Sequence, residues 1–261
     1  MSKKIIAAIV CIGMWAYSFA QKNKMDSLSK EAAKTEVWAP VPPIIKPGAN
    51  IGDAPSDAII LFDGSSLDKW CGSDNAANAA KWTVANGCFT VKKGTGNIQT
   101  KQSFTDYQLH LEWRIPEMIH GEGQGRGNSG LFLASPSKGE GYELQILDCY
   151  ENKTYVNGQT GSIYKQIIPL ANSCKKPGEW QVYDVIWTAP RFNSDGTLLS
   201  AARVTAILNG VLLQNNTEVK GLTQWIGAPV YVKHGAAPIM LQDHGDPSEP
   251  ISFKNIWIRP L

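Results

Sequence analysis

The fold is decided by the stretch YQLHLEWRI at residues 107–115, in which apolar and polar side chains alternate without a break. Successive side chains of a β-strand point to opposite faces, so one face of this segment is wholly apolar. That face carries Tyr107, Leu109, Leu111, Trp113 and Ile115. The other face is polar and carries Gln108, His110, Glu112 and Arg114. This pattern predicts a strand that packs one face on a hydrophobic core.

Short segments of the same strand character follow along the chain, and turn residues separate them. They comprise residues 58–62, 129–134, 142–147, 181–188, 239–243 and 251–259. Two hairpins are marked by the dipeptides Asn86-Gly87 and Asn209-Gly210, each between apolar runs. No long segment of residues 57–261 has helical periodicity. We therefore predict an all-β domain, an antiparallel β-sandwich of jelly-roll type.

The first twenty residues have the pattern of an export signal. Lys3 and Lys4 precede an apolar run, and Ala20 ends a stretch that suits cleavage after it. The apolar run is short and no stop-transfer pattern follows, so no membrane span is expected. We predict an exported chain that acts in the periplasm or outside the cell.

The region between the signal and the domain, residues 21–56, is predicted to be an extended, proline-rich leader. Loss of the signal removes Lys3 and Lys4 and leaves 23 basic residues against 23 acidic ones. A neutral mature chain lacks the basic surface of a nucleic-acid binder, so no nucleic-acid partner is expected.

Four cysteines remain in the mature chain, which are Cys71, Cys88, Cys149 and Cys174. In an exported protein an even count permits two disulfides, and pairing between sequence neighbours is our expectation. Free buried thiols are the alternative. The chain has no CxxC pair that would indicate a zinc knuckle.

Three predicted strands present polar groups opposite an apolar face, namely Glu112 and Arg114, Glu143 and Gln145, and Gln242 and His244. A solvated outer sheet produces the same alternation. Carboxylates, amides and guanidinium groups nevertheless suit a hydroxyl-rich ligand, because hydroxyls both donate and accept hydrogen bonds. If the strands are neighbours in one concave sheet, these groups converge on one groove. The glycine-rich loop 121–130 would flank it and offer Arg126 and Asn128, and Trp70, Trp180 or Trp225 could stack on a sugar.

Several short motifs, taken in order, resemble the 3-keto-disaccharide hydrolase domain family. They are EWR at 112–114, GNSG at 127–130, GYELQILD at 141–148, GSIY at 161–164, PGEWQ at 177–181, LNG at 208–210, LQDHG at 241–245 and FKNI at 253–256. The resemblance covers residues 57–261. It implies a concanavalin- or glucanase-like jelly roll that cleaves oligosaccharides or glycosides already oxidised to a ketone at C3. A separate sugar 3-oxidoreductase would then be the functional partner.

The implied chemistry assigns roles to individual residues. A C3 ketone acidifies the C2 hydrogen, so a base can remove it and the C1 group can leave before water adds. The resemblance implies Glu143 and His244 as the acid–base pair, in either order. It implies contacts to substrate for Glu112, Arg114, Asn128, Gln145, Asp148, Tyr164 and Gln242. No cofactor is certain, and a divalent metal that polarises the ketone stays open.

Two other functions fit the same groove. A conventional glycoside hydrolase would use two carboxylates, and Glu112 with Glu143 would supply them. A lectin-like module would bind carbohydrate in the groove without cleaving it, because this fold also hosts pure binding domains.

Overall fold

The computed structural model describes the backbone of residues 3–261 and the side chains of residue 15 and residues 17–261. Most side chains of the predicted export signal therefore lie outside the described residues. The chain divides into two compact units, Met1–Ile44 and Ile45–Leu261.

Over its described residues, 3–44, the first unit contains one helix, α1 (Lys3–Ala33). The prediction of an extended leader was therefore wrong for residues 21–33. This segment has neither proline nor glycine, and more than half of its residues are Lys, Ala, Gln, Glu, Met or Leu, which favour helix. The proline-rich part at residues 40–47 has no helix or strand, as predicted. Among the described residues, no helix combines the length and apolarity that a membrane crossing needs.

The second unit consists of short strands joined by turns. The strands are β1 (Ile59–Phe62), β2 (Trp70–Gly72), β3 (Thr83–Ala85), β4 (Cys88–Thr90), β5 (Ile98–Thr100), β6 (Tyr107–Arg114), β7 (Ser129–Phe132), β8 (Glu143–Ile146), β9 (Trp180–Thr188), β10 (Arg191–Phe192), β11 (Leu198–Ser200), β12 (Arg203–Leu208), β13 (Val211–Glu218), β14 (Met240–Leu241) and β15 (Ser252–Pro260). Two short 3₁₀ helices lie at Gly123–Gly125 and Val156–Gly158.

These strands form two main antiparallel sheets. The larger sheet has eight strands in the order β13-β12-β9-β6-β15-β4-β3, with β1 also paired to β15. The smaller sheet has five strands in the order β2-β5-β14-β7-β8. The strands β10 and β11 pair separately. The predicted antiparallel jelly-roll sandwich is confirmed.

The core lies between the two sheets, and β6 contributes its apolar face to it as predicted. Tyr107, Leu109, Leu111 and Trp113 are fully buried. Two tyrosine hydroxyls of the larger sheet donate hydrogen bonds across the core. Tyr107 bonds to the Leu133 carbonyl at 2.5 Å, and Tyr183 bonds to the Gln145 carbonyl at 2.8 Å. The second bond fixes the backbone of β8, which carries part of the candidate site.

Both predicted hairpins are present. Asn86 and Gly87 have φ angles of 52° and 73° between β3 and β4. Asn209 and Gly210 have φ angles of 53° and 83° between β12 and β13. Positive φ at both central positions matches the twist of the flanking strands, which is why Asn-Gly marks such turns.

The four cysteines of the second unit are free thiols. The predicted pairing of Cys71 with Cys88 was wrong, because their sulfurs donate to different carbonyls, those of Gln99 and Ala85. Cys149 and Cys174 are neighbours, and the hydrogen bond between them lowers the pKa of Cys149. The predicted second pair is therefore in contact as thiols.

The outer face of the larger sheet carries a buried polar cluster around His110 of β6. Its Nδ1 lies 2.7 Å from an Asp184 carboxylate oxygen, and its Nε2 lies 3.6 Å from Glu112. Burial lowers the pKa of His110, but the hydrogen bonds and charges of these two carboxylates outweigh it and raise the pKa to about 9. The Gly52 carbonyl covers the cluster and accepts from Asn255 Nδ2 at 3.0 Å. Gly52 therefore packs on the larger sheet although it precedes residue 57, and the compact unit includes residues 45–56.

This cluster should make stability depend on pH. The folded-state pKa of His110 is about 9, against 6.5 for an unperturbed histidine. The stabilisation by protonated His110 is therefore complete below the unfolded pKa and is lost as the pH rises through about 9. We expect His110→Gln to remove this dependence, which amounts to about 2–3 kcal/mol. Urea unfolding of both proteins at about pH 6 and about pH 9.5 measures the free energy of unfolding at each pH. If this free energy changes equally between the two pH values in both proteins, the prediction is wrong.

Candidate active site

A cavity of about 190 Å³ lies on the face of the smaller sheet that points away from the core. Its walls mix amides, a carboxyl group, an imidazole and aromatic rings. The lining residues are Asn128, Phe132, Gly139, Glu143, Gln145, Tyr164, Thr223, Trp225, Gln242 and His244. Six of the nine residues predicted for the site line this cavity, which are Asn128, Glu143, Gln145, Tyr164, Gln242 and His244.

The strand period explains how the floor of the cavity forms. On β8, Leu144 and Ile146 belong to the hydrophobic core, while Glu143 and Gln145 line the cavity. The neighbouring β7 places Phe132 opposite Glu143 and Gly130 opposite Gln145. On the other side of β7, the chain continues from β14 into Gln242, whose N–H donates to the Gly130 carbonyl at 3.1 Å. Three adjacent strands therefore contribute side chains to one surface.

Glu143 is a buried carboxyl group with a relative exposure of 5%. Among the described residues, no hydrogen bond or ion pair reaches its side chain; its backbone N–H donates to Thr223 Oγ1 at 3.1 Å. Burial raises the pKa of Glu143 to about 8. At neutral pH the group is therefore mostly protonated and able to donate a proton.

His244 is held at both ring nitrogens. Its Nδ1 lies 3.3 Å from Asp246 Oδ2, and its Nε2 lies 3.2 Å from the Asn128 amide nitrogen. Because an amide N–H can only donate, Nε2 accepts and the ring proton resides on Nδ1, facing Asp246. Ser248 in turn donates its backbone N–H to Asp246 Oδ1 at 2.9 Å. Nε2 is therefore the acceptor nitrogen of the ring at the cavity, and the Asn128 amide is the donor that it faces.

Three amide oxygens of the cavity are buried and have no partner among the described residues. They belong to Asn128, Gln145 and Gln242. The amide nitrogens of two of them are already used, since Gln145 Nε2 donates to Gln124 Oε1 at 3.0 Å and Asn128 Nδ2 donates to the Gln124 carbonyl at 2.8 Å. A buried acceptor without a donor is costly. The site therefore suits a ligand with several hydroxyl groups.

The same oxygens could also serve a hard cation together with Glu143. Among the described residues, no group of three or more His, Cys, Asp or Glu side chains is arranged to hold a metal. A cation at this site would therefore depend on neutral amide ligands. Hydroxyl groups of a sugar satisfy the same acceptors and also fit the mixed lining of the cavity.

Glu112 and Arg114 do not belong to this site, so the predicted groove was wrong for both. They lie on β6 in the larger sheet. Glu112 pairs with Lys254 at 3.3 Å, and the Arg114 guanidinium lies 4.6 Å above the Trp180 ring. Alternation assigns a residue to one face of a strand, but it does not say which sheet the strand joins.

Asp148 and Arg126 also lie outside the cavity lining. The Asp148 carboxylate is buried and pairs with Arg126 Nε at 2.7 Å. Asp148 also accepts the backbone N–H of Tyr150 at 3.0 Å. The pair stabilises the glycine-rich loop that carries Asn128, so the contribution of Asp148 to the site is indirect.

Sequence reasoning missed several residues that complete the site. Asp246 orients His244, Gln124 anchors the amides of Asn128 and Gln145, and Thr223 lines the wall. Asp246 stands two residues after His244, which was the available signal. Nothing in the sequence placed Thr223 near Glu143, because the two residues lie on segments that meet only in the folded chain.

Gly130 provides the space for the Glu143 carboxyl group. A Cβ at this position would lie 2.6 Å from Glu143 Oε1 and 2.9 Å from Phe132 Cε2. We expect Gly130→Ala to displace the carboxyl group and to lower kcat/KM on the substrate by about 10-fold or more. Gly235→Ala is the matched control, because its Cβ would meet nothing within 4 Å. Equal activity of both variants, with unchanged melting temperatures, would contradict this role.

Comparison with known proteins identifies the family whose model this chain matches. Residues 57–259 match the model of the 3-keto-alpha-glucoside-1,2-lyase-like domain. A 3-keto-disaccharide hydrolase of Bacteroides thetaiotaomicron is 24% identical over 151 residues, which are 47% of this chain and 49% of that protein. The match thus spans about half the length of this curated relative.

Two crystal structures from Parabacteroides distasonis also match. One candidate glycosyl hydrolase is 58% identical with a TM-score of 0.83, over 87% of this chain and 95% of that one. Another of the same description is 22% identical with a TM-score of 0.55, over 78% of this chain and 94% of that one. The latter similarity shows a shared fold.

Proposed function

Because the chain belongs to the 3-keto-alpha-glucoside-1,2-lyase-like domain family, we propose that it cleaves glycosides that carry a ketone at C3. It is a carbohydrate-active domain of glycosyl-hydrolase type. One observation carries the finer proposal: His244, with Nε2 as an acceptor, and a mostly protonated Glu143 line one cavity that also contains three unpartnered amide oxygens.

The proposed reaction is an elimination followed by hydration. When the substrate binds, the Asn128 amide gives up its hydrogen bond to His244 Nε2, and this nitrogen takes the C2 proton. The electrons of that C–H bond delocalise into the C3 ketone as an enolate. The enolate then forms the C1–C2 double bond while the C1–O bond breaks, and Glu143 gives its proton to the departing oxygen. Water later adds across the double bond, so the net result is hydrolysis.

The remaining lining groups orient the sugar. The amide oxygens of Asn128, Gln145 and Gln242 accept hydrogen bonds from ring hydroxyls. Tyr164 and Thr223 provide hydroxyl donors on the wall of the cavity, and donors near the ketone oxygen stabilise the enolate as its charge develops. In this proposal the buried site gains its affinity by satisfying acceptors that lack partners without the ligand.

The two-carboxylate alternative is less well supported. Among the described residues that line the cavity, Glu143 is the only one with a carboxylate, and Glu112 lies on the other sheet. Conventional glycoside hydrolysis needs two carboxyl groups on either side of the same glycosidic bond. A lectin-like module remains the second candidate, because the partnerless amide oxygens would bind a sugar equally well without turnover.

A panel of disaccharides and glucosides, each in its oxidised 3-keto form and its unoxidised form, tests the proposal. The panel contains both anomers and is assayed with and without a chelator. We expect cleavage of the 3-keto forms alone, with an unsaturated keto sugar as the intermediate. Cleavage of the unoxidised sugars would favour the two-carboxylate mechanism. Binding of 3-keto sugars without product would favour the lectin-like module, and loss of activity with the chelator would show that a metal takes part.

The same proposal has consequences for the surroundings of the enzyme. A 3-keto glycoside has to be produced by oxidation of an ordinary glycoside, so we propose a sugar 3-oxidoreductase as the functional partner. We also propose that the chain is exported, on the basis of its N-terminal sequence. Peptide mapping of the protein from its native host would show whether the mature chain begins after Ala20.

A further inference from the structure

The cavity accommodates only part of a two-ring substrate. Its volume is about 190 Å³, below the roughly 300–1,000 Å³ of cavities that enclose a drug-sized ligand. One sugar ring therefore fills it. In the proposed reaction that ring is the oxidised one, so the group that leaves from C1 must lie beyond the cavity wall.

Trp225 and Ile226 lie where this wall meets the solvent. Trp225 lines the cavity, yet it is 73% exposed, and its neighbour Ile226 is 75% exposed. The loop that carries them is anchored before and after the two side chains, since Leu222 N–H donates to the Val230 carbonyl at 2.8 Å. Thr223 N–H donates to the Gly141 carbonyl at 2.8 Å. The two apolar side chains are therefore held at the cavity mouth without being part of the core.

Tyr155 extends the same apolar surface. Its hydroxyl bonds to that of the cavity residue Tyr164 at 2.6 Å. Lys165 connects it to the tryptophan loop, because Lys165 Nζ donates to the Trp225 carbonyl at 2.8 Å and lies 5.8 Å from the centre of the Tyr155 ring. Two aromatic side chains, Tyr155 and Trp225, and the neighbouring Ile226 thus surround part of the cavity mouth. We call these three residues the aromatic rim.

The other tryptophans considered for sugar stacking are not available to this cavity. Trp70 is buried in the core. Trp180 lies on β9 in the larger sheet, where Arg114 and Lys254 approach its ring at 4.6 and 4.4 Å. Trp225 is thus the tryptophan that could contact the substrate.

We infer that the aromatic rim is the binding site for the leaving group and that it selects leaving groups with a flat apolar ring. The inference rests on the proposed function, because only cleavage at C1 places a leaving group at the cavity mouth. Aromatic and aliphatic rings stack on tryptophan through dispersion and apolar burial. A simple alkyl group is too small to cover the exposed indole.

The test compares methyl and benzyl 3-keto-α-glucosides, which lose alcohols of similar acidity and differ in the ring alone. We expect the unaltered enzyme to prefer the benzyl substrate in kcat/KM by about 10-fold. Trp225→Ala should abolish this preference, so that the ratio of kcat/KM for the benzyl and methyl substrates falls to about one. Trp225→Phe should retain most of it, and Trp180→Ala is the matched control that should retain all of it.

The two proposals fail in different ways. If neither glucoside is cleaved as the α or the β anomer, and no 3-keto sugar of the panel is cleaved either, the proposed function is wrong and the rim has no leaving group to bind. If both are cleaved at equal rates, or if Trp225→Ala keeps the benzyl preference, the aromatic rim is not the subsite and the proposed function still stands. Because Trp225 is exposed, its substitution should not change the melting temperature.

Discussion

His244→Ala is expected to lower kcat/KM on a 3-keto-α-glucoside by about 10²–10⁴-fold, the usual contribution of a general base. The ring presents Nε2 to the cavity while Nδ1 faces Asp246 at 3.3 Å, so its loss removes the proposed acceptor of the C2 proton. Substrate binding should change little, because the three amide oxygens stay in place. Measurement of kcat and KM, with the melting temperature as a check on folding, decides the outcome.

Two variants make this result specific. Asp246→Asn keeps the imidazole but weakens its orientation, so we expect a smaller loss, on the order of 10-fold. His120→Ala removes an exposed histidine that pairs with Glu249 at 2.6 Å, and it should have nearly full activity. Added imidazole should partly restore His244→Ala, because the deleted side chain leaves room for it. Full activity of His244→Ala would exclude His244 as the base.

Much of the fold could be predicted because β-strand patterns are local. The alternation at residues 107–115 identified a core strand, and each Asn-Gly dipeptide identified a hairpin. In both cases the physical constraint acts within a few residues, through the strand period or the need for positive φ. The helix over residues 21–33 was missed, because the prolines at residues 40–47 led to a prediction of extended chain for the whole of residues 21–56.

The candidate site was only partly predictable, because its residues come together through strand order. Glu143 and Gln145 share a face of β8, which their spacing predicts. The placement of Gln242 beside them depends on β14 pairing with β7. Glu112 has the same alternation as Glu143, yet β6 joins the other sheet. The choice between two sheets is made by long-range pairing, and one sequence contains no local signal for it.

The glycine at position 130 illustrates a second limit. In the sequence it ends the GNSG motif at 127–130, and nothing there indicates that it adjoins Glu143. In the structure it lies beneath the Glu143 carboxyl group, where any side chain would intrude. The role of Gly130 follows from what its missing side chain leaves free, and this can be recognised only from coordinates.

Glu143→Gln is expected to reduce cleavage by about 10²–10⁴-fold, because an amide cannot supply the proton that the departing oxygen needs. The pH profile of the unaltered enzyme should show the reason. Burial raises the pKa of Glu143 to about 8, so kcat/KM should fall as the pH rises through this value and the acid loses its proton. In Glu143→Gln this limb should be absent. The variant should not be less stable, since a buried carboxyl with a raised pKa destabilises the folded state once it ionises.

Proton exchange at C2 separates the two roles of the pair. With the base intact, Glu143→Gln should still exchange the C2 hydrogen of a 3-keto glycoside for solvent deuterium, while His244→Ala should not. Glu112→Gln is the matched control; it changes a carboxylate on the other sheet and should keep both exchange and cleavage. If Glu143→Gln loses exchange while His244→Ala retains it, the acid and the base are reversed. If Glu112→Gln also abolishes cleavage without unfolding, two carboxylates are needed and the elimination mechanism is wrong.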